Sequence, residues 1–512
     1  MPLTRTPVVL TLCLIFAALA GCSHPAEWIS QPDLHTTAGI LGPAEVTGYD
    51  TNGDRRIDYL QIHNERGIKR RLLFDTAYDG KFDLAVDLNR DDPGSFRTLF
   101  VLLDGISYDL VADLHAEGHF RLFYPPGRII PGFPTVTDNI YADFFETPRP
   151  FGVEALYADR QTRRMGGGYG LYLKGGNERV WPRHMLWRQS YLYDGLVYVL
   201  PDWVAVRELD YCMKAAIEWI EKTDEPYAAV YLVSTDALGH KMGHEYLKQF
   251  LTRVDEAFEQ LVWRARGRLR LLCMADHALN ETEMKRVNLI PELKSAGYRP
   301  RDHIESDSDV IVPAFGLVSH VAISTLRPAK VAEAAAKAEG VELAIYPEGA
   351  RFVVLGAGID APQAVIETRA DGALRYNDIR GDPLRLQPIV SRMKAAGQID
   401  EGGWASPKAW LDATWNHMFP DPLVRITRAF QGNVENPPDV LLSLAPQYYF
   451  GENQFEAFAT LRGTHGSLRR CATTTYVLSN FFVPPPYERG TQLRDALKAR
   501  LGLPTLLPPQ RP

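Results

Sequence analysis

Three apolar runs, at 99–104, 228–236 and 269–276, each close on an aspartate: Asp104, Asp236 and Asp276. Runs this continuously apolar fit strands buried on both faces of a parallel sheet. Between the second and third runs, Tyr246, Leu247, Phe250, Leu251, Val254, Phe258, Leu261 and Val262 follow helical spacing. A second helix is expected over 205–222, where Leu209, Met213, Ala216, Ile217 and Ile220 form one face. Strands alternating with helices imply an α/β core, a doubly wound and mainly parallel sheet. In such sheets the ligand crevice lies beyond the carboxyl ends of the strands, so the three aspartates are expected to converge. One aspartate after a strand reads as a turn or helix cap. Three of them, two with histidines nearby, read as a metal site.

The histidines are His240, four residues after Asp236, and His277, directly after Asp276. Further on, His465 falls in Gly463-Thr-His-Gly-Ser467, and Thr137 in Phe133-Pro-Thr-Val-Thr-Asp138. The net charge of -7 argues against non-specific nucleic-acid binding. Attraction for a phosphate ester would then have to come from local cations, most simply metal ions.

In this order the set Asp104, Thr137, Asp236, His240, Asp276, His277 and His465 resembles the alkaline phosphatase superfamily. The likeness is closest to its type I phosphodiesterase and nucleotide pyrophosphatase branch, over roughly 98–285 and 410–482. The resemblance implies two Zn²⁺ per chain. One would be held by Asp104, Thr137, Asp276 and His277, the other by Asp236, His240 and His465. It also implies that Thr137 attacks a small phosphate ester, giving a phospho-threonine that water then hydrolyses. A threonine hydroxyl is a poor nucleophile at neutral pH, and coordination to a metal lowers the cost of ionising it. Thr135 is read as a structural hydroxyl.

Asp138-Asn-Ile departs from the Phe-Pro-Asn-His that nucleotide pyrophosphatases usually show there, which leaves nucleotide specificity open. Asn139 is read either as a donor to a phosphoryl oxygen or as a helix cap. His244 is read as a surface or supporting residue, and the glycine-rich stretch 166–170 as a flexible loop. Phosphodiester or pyrophosphate hydrolysis leads. A phosphomonoesterase or a phosphoethanolamine-type transferase could use the same site, and a non-catalytic ligand-binding surface lipoprotein is the alternative of another class. No Cys-x-Pro-x-Arg sulfatase signature is present.

The N-terminus reads as an address. Arg5 precedes an apolar stretch of twelve residues, 8–19, and then Leu19-Ala-Gly-Cys22. Twelve residues are too few to span a bilayer, where ~20 are needed. The pattern fits a secretory signal over 1–21, and its ending resembles the bacterial lipobox, with Cys22 lipidated; an ordinary signal peptide that contains a cysteine is the alternative. Ser23 resembles outer-membrane sorting. The expected location is the bacterial cell envelope, facing periplasm or exterior, with lipid as the only membrane contact. Cys212, Cys273 and Cys471 then remain, enough for one disulfide at most.

At 512 residues several structural units are expected. Residues 22–97 form an N-terminal β-rich region with two hairpin-like units. Asp50, Asn52, Asp54 and Asp58 stand at the spacing of an EF-hand-type loop, and Asp75, Asp79 and Asp83 repeat it imperfectly with Ala77 at a ligand place. These residues are candidate Ca²⁺ ligands, or plain Asp/Gly turns. The core follows over 98–285 and resumes over 411–482. An inserted α+β cap occupies 286–410, with strands at 321–325, 341–346, 351–355, 363–369 and 373–376 and a helix over 328–339. A C-terminal helix and a loose proline-rich tail fill 483–512.

Overall fold

The structure is a computed structural model and describes residues 34–36, 44–64, 70–88, 95–168, 180–188, 196–282, 284–452 and 461–510. Its core elements, in chain order, are β1 (Arg97–Leu103), α1 (Tyr108–Ala116), β2 (Gly127–Ile130), α2 (Thr137–Phe145), α3 (Pro201–Lys222), β3 (Tyr227–Leu232), α4 (Ser234–Met242), α5 (His244–Arg264), β4 (Leu269–Ala275), β5 (Thr475–Ser479), β6 (Tyr487–Arg489) and α6 (Gly490–Leu501).

The apolar run of β1 has work on both faces. Leu99, Val101 and Leu103 pack with α1, α3 and α5, while Phe100 and Leu102 pack with α2 and α6. Helices therefore cover both sides of a six-stranded sheet in the order β3-β1-β4-β5-β2-β6. β3, β1 and β4 run parallel, β5 is antiparallel to β4 and β2, and β2 and β6 are parallel. This is the expected α/β class, with one reversed strand inside it.

Leu103 is paired with both Leu232 and Ala275, so the three parallel strands end level. Asp104 and Asp276 follow at once. The third run stops earlier than the sequence suggested: β3 ends at Leu232, and Asp236 lies in the first turn of α4. The buried Glu208 carboxylate of α3 accepts the backbone N–H groups of Val233 (3.2 Å) and Ser234 (2.8 Å). It satisfies orphan donors at the start of α4, which no side chain of its own caps.

The five N-terminal strands form an antiparallel sheet in sequence order. Tyr49, Tyr59 and Phe74 stack in a row, with centroids 5.2 and 4.8 Å apart, and join the core cluster beside α5. The two Asp-rich loops connect neighbouring strands and repeat one hydrogen-bond scheme. Thr51 donates N–H and hydroxyl to Asp58, and Thr76 does the same to Asp83. Asp50 accepts from Gly53 and Arg55, and Asp75 from Asp79 and Gly80. Asn52 and Asp79 likewise accept from the backbone two residues on, as does Asp54 from Arg56.

The inserted segment contributes most of a nine-stranded sheet, including His320–Thr325, Val341–Glu348, Arg351–Gly356, Gln363–Thr368 and Leu374–Arg380. Its helix, Pro328–Ala335, is shorter than expected. The boundary at 410 does not hold for this sheet. Val440–Leu444, buried at every position, pairs between His320–Thr325 and Val341–Glu348. Chain beyond 410 thus supplies an internal strand of the cap. Two smaller expectations also change. Gly166 and Gly167 end the strand Arg164–Gly167 rather than a free loop. The tail is docked, with Leu506 buried beneath α6 and the Pro508 carbonyl 2.6 Å from His184 Nδ1. Cys212, Cys273 and Cys471 are all unbonded. Among the described residues no helix is long and apolar enough to cross a membrane. The expected signal segment and Cys22 lie outside the described residues.

Candidate metal centre

All seven residues singled out in the sequence meet beyond the ends of β1 and β4. His277 Nε2 lies 3.4 Å from Asp104 Oδ1 and 3.3 Å from Asp276 Oδ2. One helical turn along α4, His240 Nε2 lies 3.2 Å from Asp236 Oδ1. His465 Nε2 reaches the same oxygen at 4.0 Å. Thr137, the first residue of α2, holds Oγ1 3.4 Å from Asp104 Oδ2. The three carboxylates and three imidazoles are buried, and Thr137 alone is half exposed.

Two triads have donor atoms close enough to share an ion: Asp236, His240 and His465, and Asp104, Asp236 and His277. Asp236 belongs to both. Asp276 sits beside the second triad, accepting the N–H groups of Gly105 (3.3 Å) and of His277 (3.0 Å). Among the described residues these are the only such groups, and neither Asp-rich N-terminal loop forms one.

Each imidazole is oriented by its far nitrogen. Nδ1 of His240, His465 and His277 meets the carbonyls of Gly463 (2.7 Å), Thr135 (2.8 Å) and Ala278 (3.3 Å). Donation from Nδ1 leaves every Nε2 lone pair facing the shared space. Tyrosines fix the carboxylates from outside: Tyr231 donates to Asp104 Oδ2, and Tyr198 to Asp236 Oδ2 at 3.1 Å.

Burial and crowding pull the proton affinities of these groups apart; burial lowers His240, but Asp236 more than offsets it and the net shift is upward. Burial, with Asp276 and Asp236 beside it, pushes the Asp104 carboxyl well above the usual range. Burial pushes Asp276 up to about 7. Burial also raises Asp236, but His240 and His465 more than offset it, and the net shift is downward. His277 is pushed down to about 3 by burial and by His240, and His465 well below its usual value by burial and His277. Asp236 Oδ1, Asp276 Oδ2 and His277 Nε2 are buried without a hydrogen-bond partner. Leaving such atoms bare is costly, and a divalent cation would satisfy all three. The residues fit metal ions.

Other residues fall into supporting places. Thr135 Oγ1 donates to the Ala472 carbonyl (3.2 Å) and accepts from Gly466 N (3.0 Å), a structural hydroxyl as expected. Asn139 is not a helix cap, because Val136 holds that position. Its Nδ2 is directed to the Val153 carbonyl at 3.3 Å. His244 lies aside, bonded to the Leu279 carbonyl (3.2 Å) and 3.2 Å from Glu281.

Sequence reasoning missed Tyr231, Tyr198, Glu208 and Gly105. Gly105 has φ +69°, and a Cβ there would come within 2.8 Å of Asp236 Oδ1. A glycine directly after a strand-ending aspartate was a visible signal for that close approach. Glu208 and Tyr198 had none, since only the fold brings them to the site.

No family model matches this chain, and no curated protein sequence does. Among solved structures it is similar to murine ectonucleotide pyrophosphatase/phosphodiesterase 5. Identity is 14% and the TM-score 0.45, over 81% of this chain and 97% of that one. An inactive threonine-to-alanine variant of the murine protein in complex with AMP aligns at 13% identity, TM-score 0.45 and the same coverage. The human protein aligns at 12% and 0.44, again over 81% and 97%.

Proposed function

We propose that this chain hydrolyses phosphate esters, phosphodiesters or pyrophosphates, at a two-zinc centre with Thr137 as nucleophile. The observation that carries the reading is the convergence of six buried carboxylates and imidazoles on one half-exposed hydroxyl. Mixed histidine and carboxylate donors suit zinc better than magnesium. Asp104, Thr137, Asp276 and His277 would hold one ion, and Asp236, His240 and His465 the other, with Asp236 in reach of both positions. Bound zinc would supply Lewis-acid charge that eases ionisation of the hydroxyl and neutralises phosphoryl oxygens.

The chain's own part follows from its geometry. Asp104 is an acceptor within 3.4 Å for the Thr137 hydroxyl proton. Thr137 opens α2, so charge developing on Oγ1 and on the phosphoryl oxygens lies at the positive end of a helix dipole. Attack on phosphorus forms the Oγ1–P bond and expels the alcohol or phosphate arm. Water then cleaves the phospho-threonine and restores the hydroxyl. Burial of the surrounding ligands leaves Thr137 as the exposed point of attack.

The test is turnover of bis-p-nitrophenyl phosphate and p-nitrophenyl phosphate by zinc-loaded protein, with Thr137→Ala alongside. Diester turnover lost in the variant and on chelation supports the reading. Monoester preference redirects it to a phosphatase. Silence with two zinc ions bound points to a transferase, and silence with no metal bound sinks the enzyme. We further propose attachment to the bacterial envelope through lipid on Cys22. Cys22→Ser should move the protein from the membrane to the soluble fraction, and unchanged fractionation would refute the anchor.

A further inference from the structure

His465 is held differently from the other buried residues of the metal centre. Asp104, Asp276 and His277 follow the ends of β1 and β4, and Asp236 and His240 stand on α4, all elements of the core. His465 comes directly after the two-residue strand Gly463–Thr464, on a turn that core and cap grip from opposite sides. On the core side, Thr464 N donates to Asn280 Oδ1 at 2.7 Å and Gly466 N to Thr135 Oγ1 at 3.0 Å, while His465 Nδ1 meets the Thr135 carbonyl at 2.8 Å. On the cap side, Ser319 donates both N–H and hydroxyl to the His465 carbonyl, each at 2.7 Å, and its Oγ accepts Ser467 N at 2.9 Å. Thr464 Oγ1 donates to the Leu317 carbonyl at 2.7 Å, and Leu468 N to Ser443 Oγ at 3.0 Å.

Ser319 leads into the cap strand His320–Thr325, and Ser443 lies in its neighbour Val440–Leu444. Leu444 N donates to the Ser319 carbonyl at 2.9 Å, so the two strands are joined where they meet the turn. The Ser319 hydroxyl closes that turn, taking a donor from Ser467 and giving its proton to the His465 carbonyl across Gly466, at φ +105°. Ser319, Ser443, Thr464 and Ser467 are all buried, so water does not stand in for a bond that is lost. Metal–ligand bonds tolerate shifts of only about ±0.2 Å. A turn released from the cap would therefore carry His465 Nε2 out of liganding range.

We propose that the cap sheet regulates the metal centre: through Ser319 it holds His465, so an ion at the Asp236, His240 and His465 position and the order of the cap strands stabilise each other. Such coupling is reciprocal, because an ion that binds only the ordered arrangement stabilises it by mass action. Loosening the cap empties this position and leaves the one formed by core residues. The proposal rests on the two-ion reading and adds to it a control on one of the ions.

The experiment is amide hydrogen exchange of the full chain with and without zinc, alongside zinc titration against a chelator. In wild type, zinc should slow exchange over 317–325 and 440–444 by about tenfold or more. Ser319→Ala should abolish that protection and weaken one of the two ions by about 10–100-fold, with the other kept within about twofold. Ser443→Ala, which takes the acceptor from Leu468 N, should act in the same direction and serves if the first variant does not fold. Cap strands indifferent to zinc, protection that survives in both variants, or equal weakening of both ions would overturn the linkage while leaving the metal centre standing. Wild type that binds fewer than two zinc ions would instead overturn the two-ion reading, and the linkage with it.

Discussion

His277 and His465 lie ring on ring, their centroids 3.7 Å apart and their planes 8° from parallel. One belongs to each liganding triad, and Asp236 belongs to both. The two triads therefore share a wall of imidazole and one carboxylate, and on the two-ion proposal so would the two positions. Losing Asp236 should empty both, whereas losing His240 should empty one. Zinc per chain after dialysis, read by plasma mass spectrometry, should fall from two to near zero in Asp236→Asn and to about one in His240→Asn. Retention of one tightly held ion in Asp236→Asn would show that the carboxylate serves a single position.

Tyr231 offers a cleaner substitution than any ligand. Its ring packs 4.9 Å from Trp181 and 5.7 Å from Tyr141, and its hydroxyl fixes Asp104. Tyr231→Phe keeps the packing and removes only the hydroxyl. Groups that orient metal ligands are typically worth 10–100-fold in affinity. Competition with a chromogenic chelator should show zinc binding weaker by about that factor, with the melting of metal-free protein little changed. Unaltered zinc affinity would mean that Asp104 is held by its strand end alone.

Much of this was legible because chemistry and period coincide. A continuous apolar run that ends in an acidic residue marks both a buried strand and its crevice end, so Asp104 and Asp276 could be read directly. Asp236 was read at the right place for the wrong local reason. Val233-Ser-Thr-Asp236 extends an apolar run only weakly, and Glu208, distant in sequence, stabilises a helix start there. Val440–Leu444 looks the same in sequence whether it completes the core or the cap, and only its pairing decides. The docking of Leu506 was hidden because proline-rich composition describes the backbone's stiffness and not what its few apolar side chains cover.

The site also sets opposite pH dependences for folding and for metal binding. Burial holds the Asp276 carboxyl at about 7 in the metal-free fold, against 3.8 ordinarily. Between those values the folded chain keeps a proton that the unfolded chain has lost. Its contribution to stability therefore falls as pH rises through about 4 to 7, and is flat above. Zinc must displace that proton, so affinity should rise over the same range. Metal-free protein should lose melting temperature between pH 5.5 and 7.5 more steeply than Asp276→Asn does, while zinc binds wild type more weakly at pH 6 than at 7.5. Parallel pH profiles for the two proteins would remove Asp276 as the titrating group.

Arg425 ties together the two loops that deliver Thr137 and His465. The guanidinium is buried, with Nη1 donating to the carbonyls of Leu468 (3.0 Å) and Pro420 (3.2 Å). Nη2 donates to Thr473 Oγ1 (3.0 Å) and lies 3.5 Å from the Gly132 carbonyl. Gly132 leads into the Thr137 loop, and Leu468 follows the His465 turn. Removing the fork leaves several buried acceptors bare, each costing about 1–3 kcal/mol. Arg425→Met should lower the melting temperature and reduce kcat more than it raises KM, because Thr137 Oγ1 drifts from the ligands while the substrate contacts persist. Arg425→Lys should recover little of either, since one ammonium cannot reproduce a planar fork. A variant that melts earlier yet keeps wild-type kcat at low temperature would reduce Arg425 to a purely structural tie.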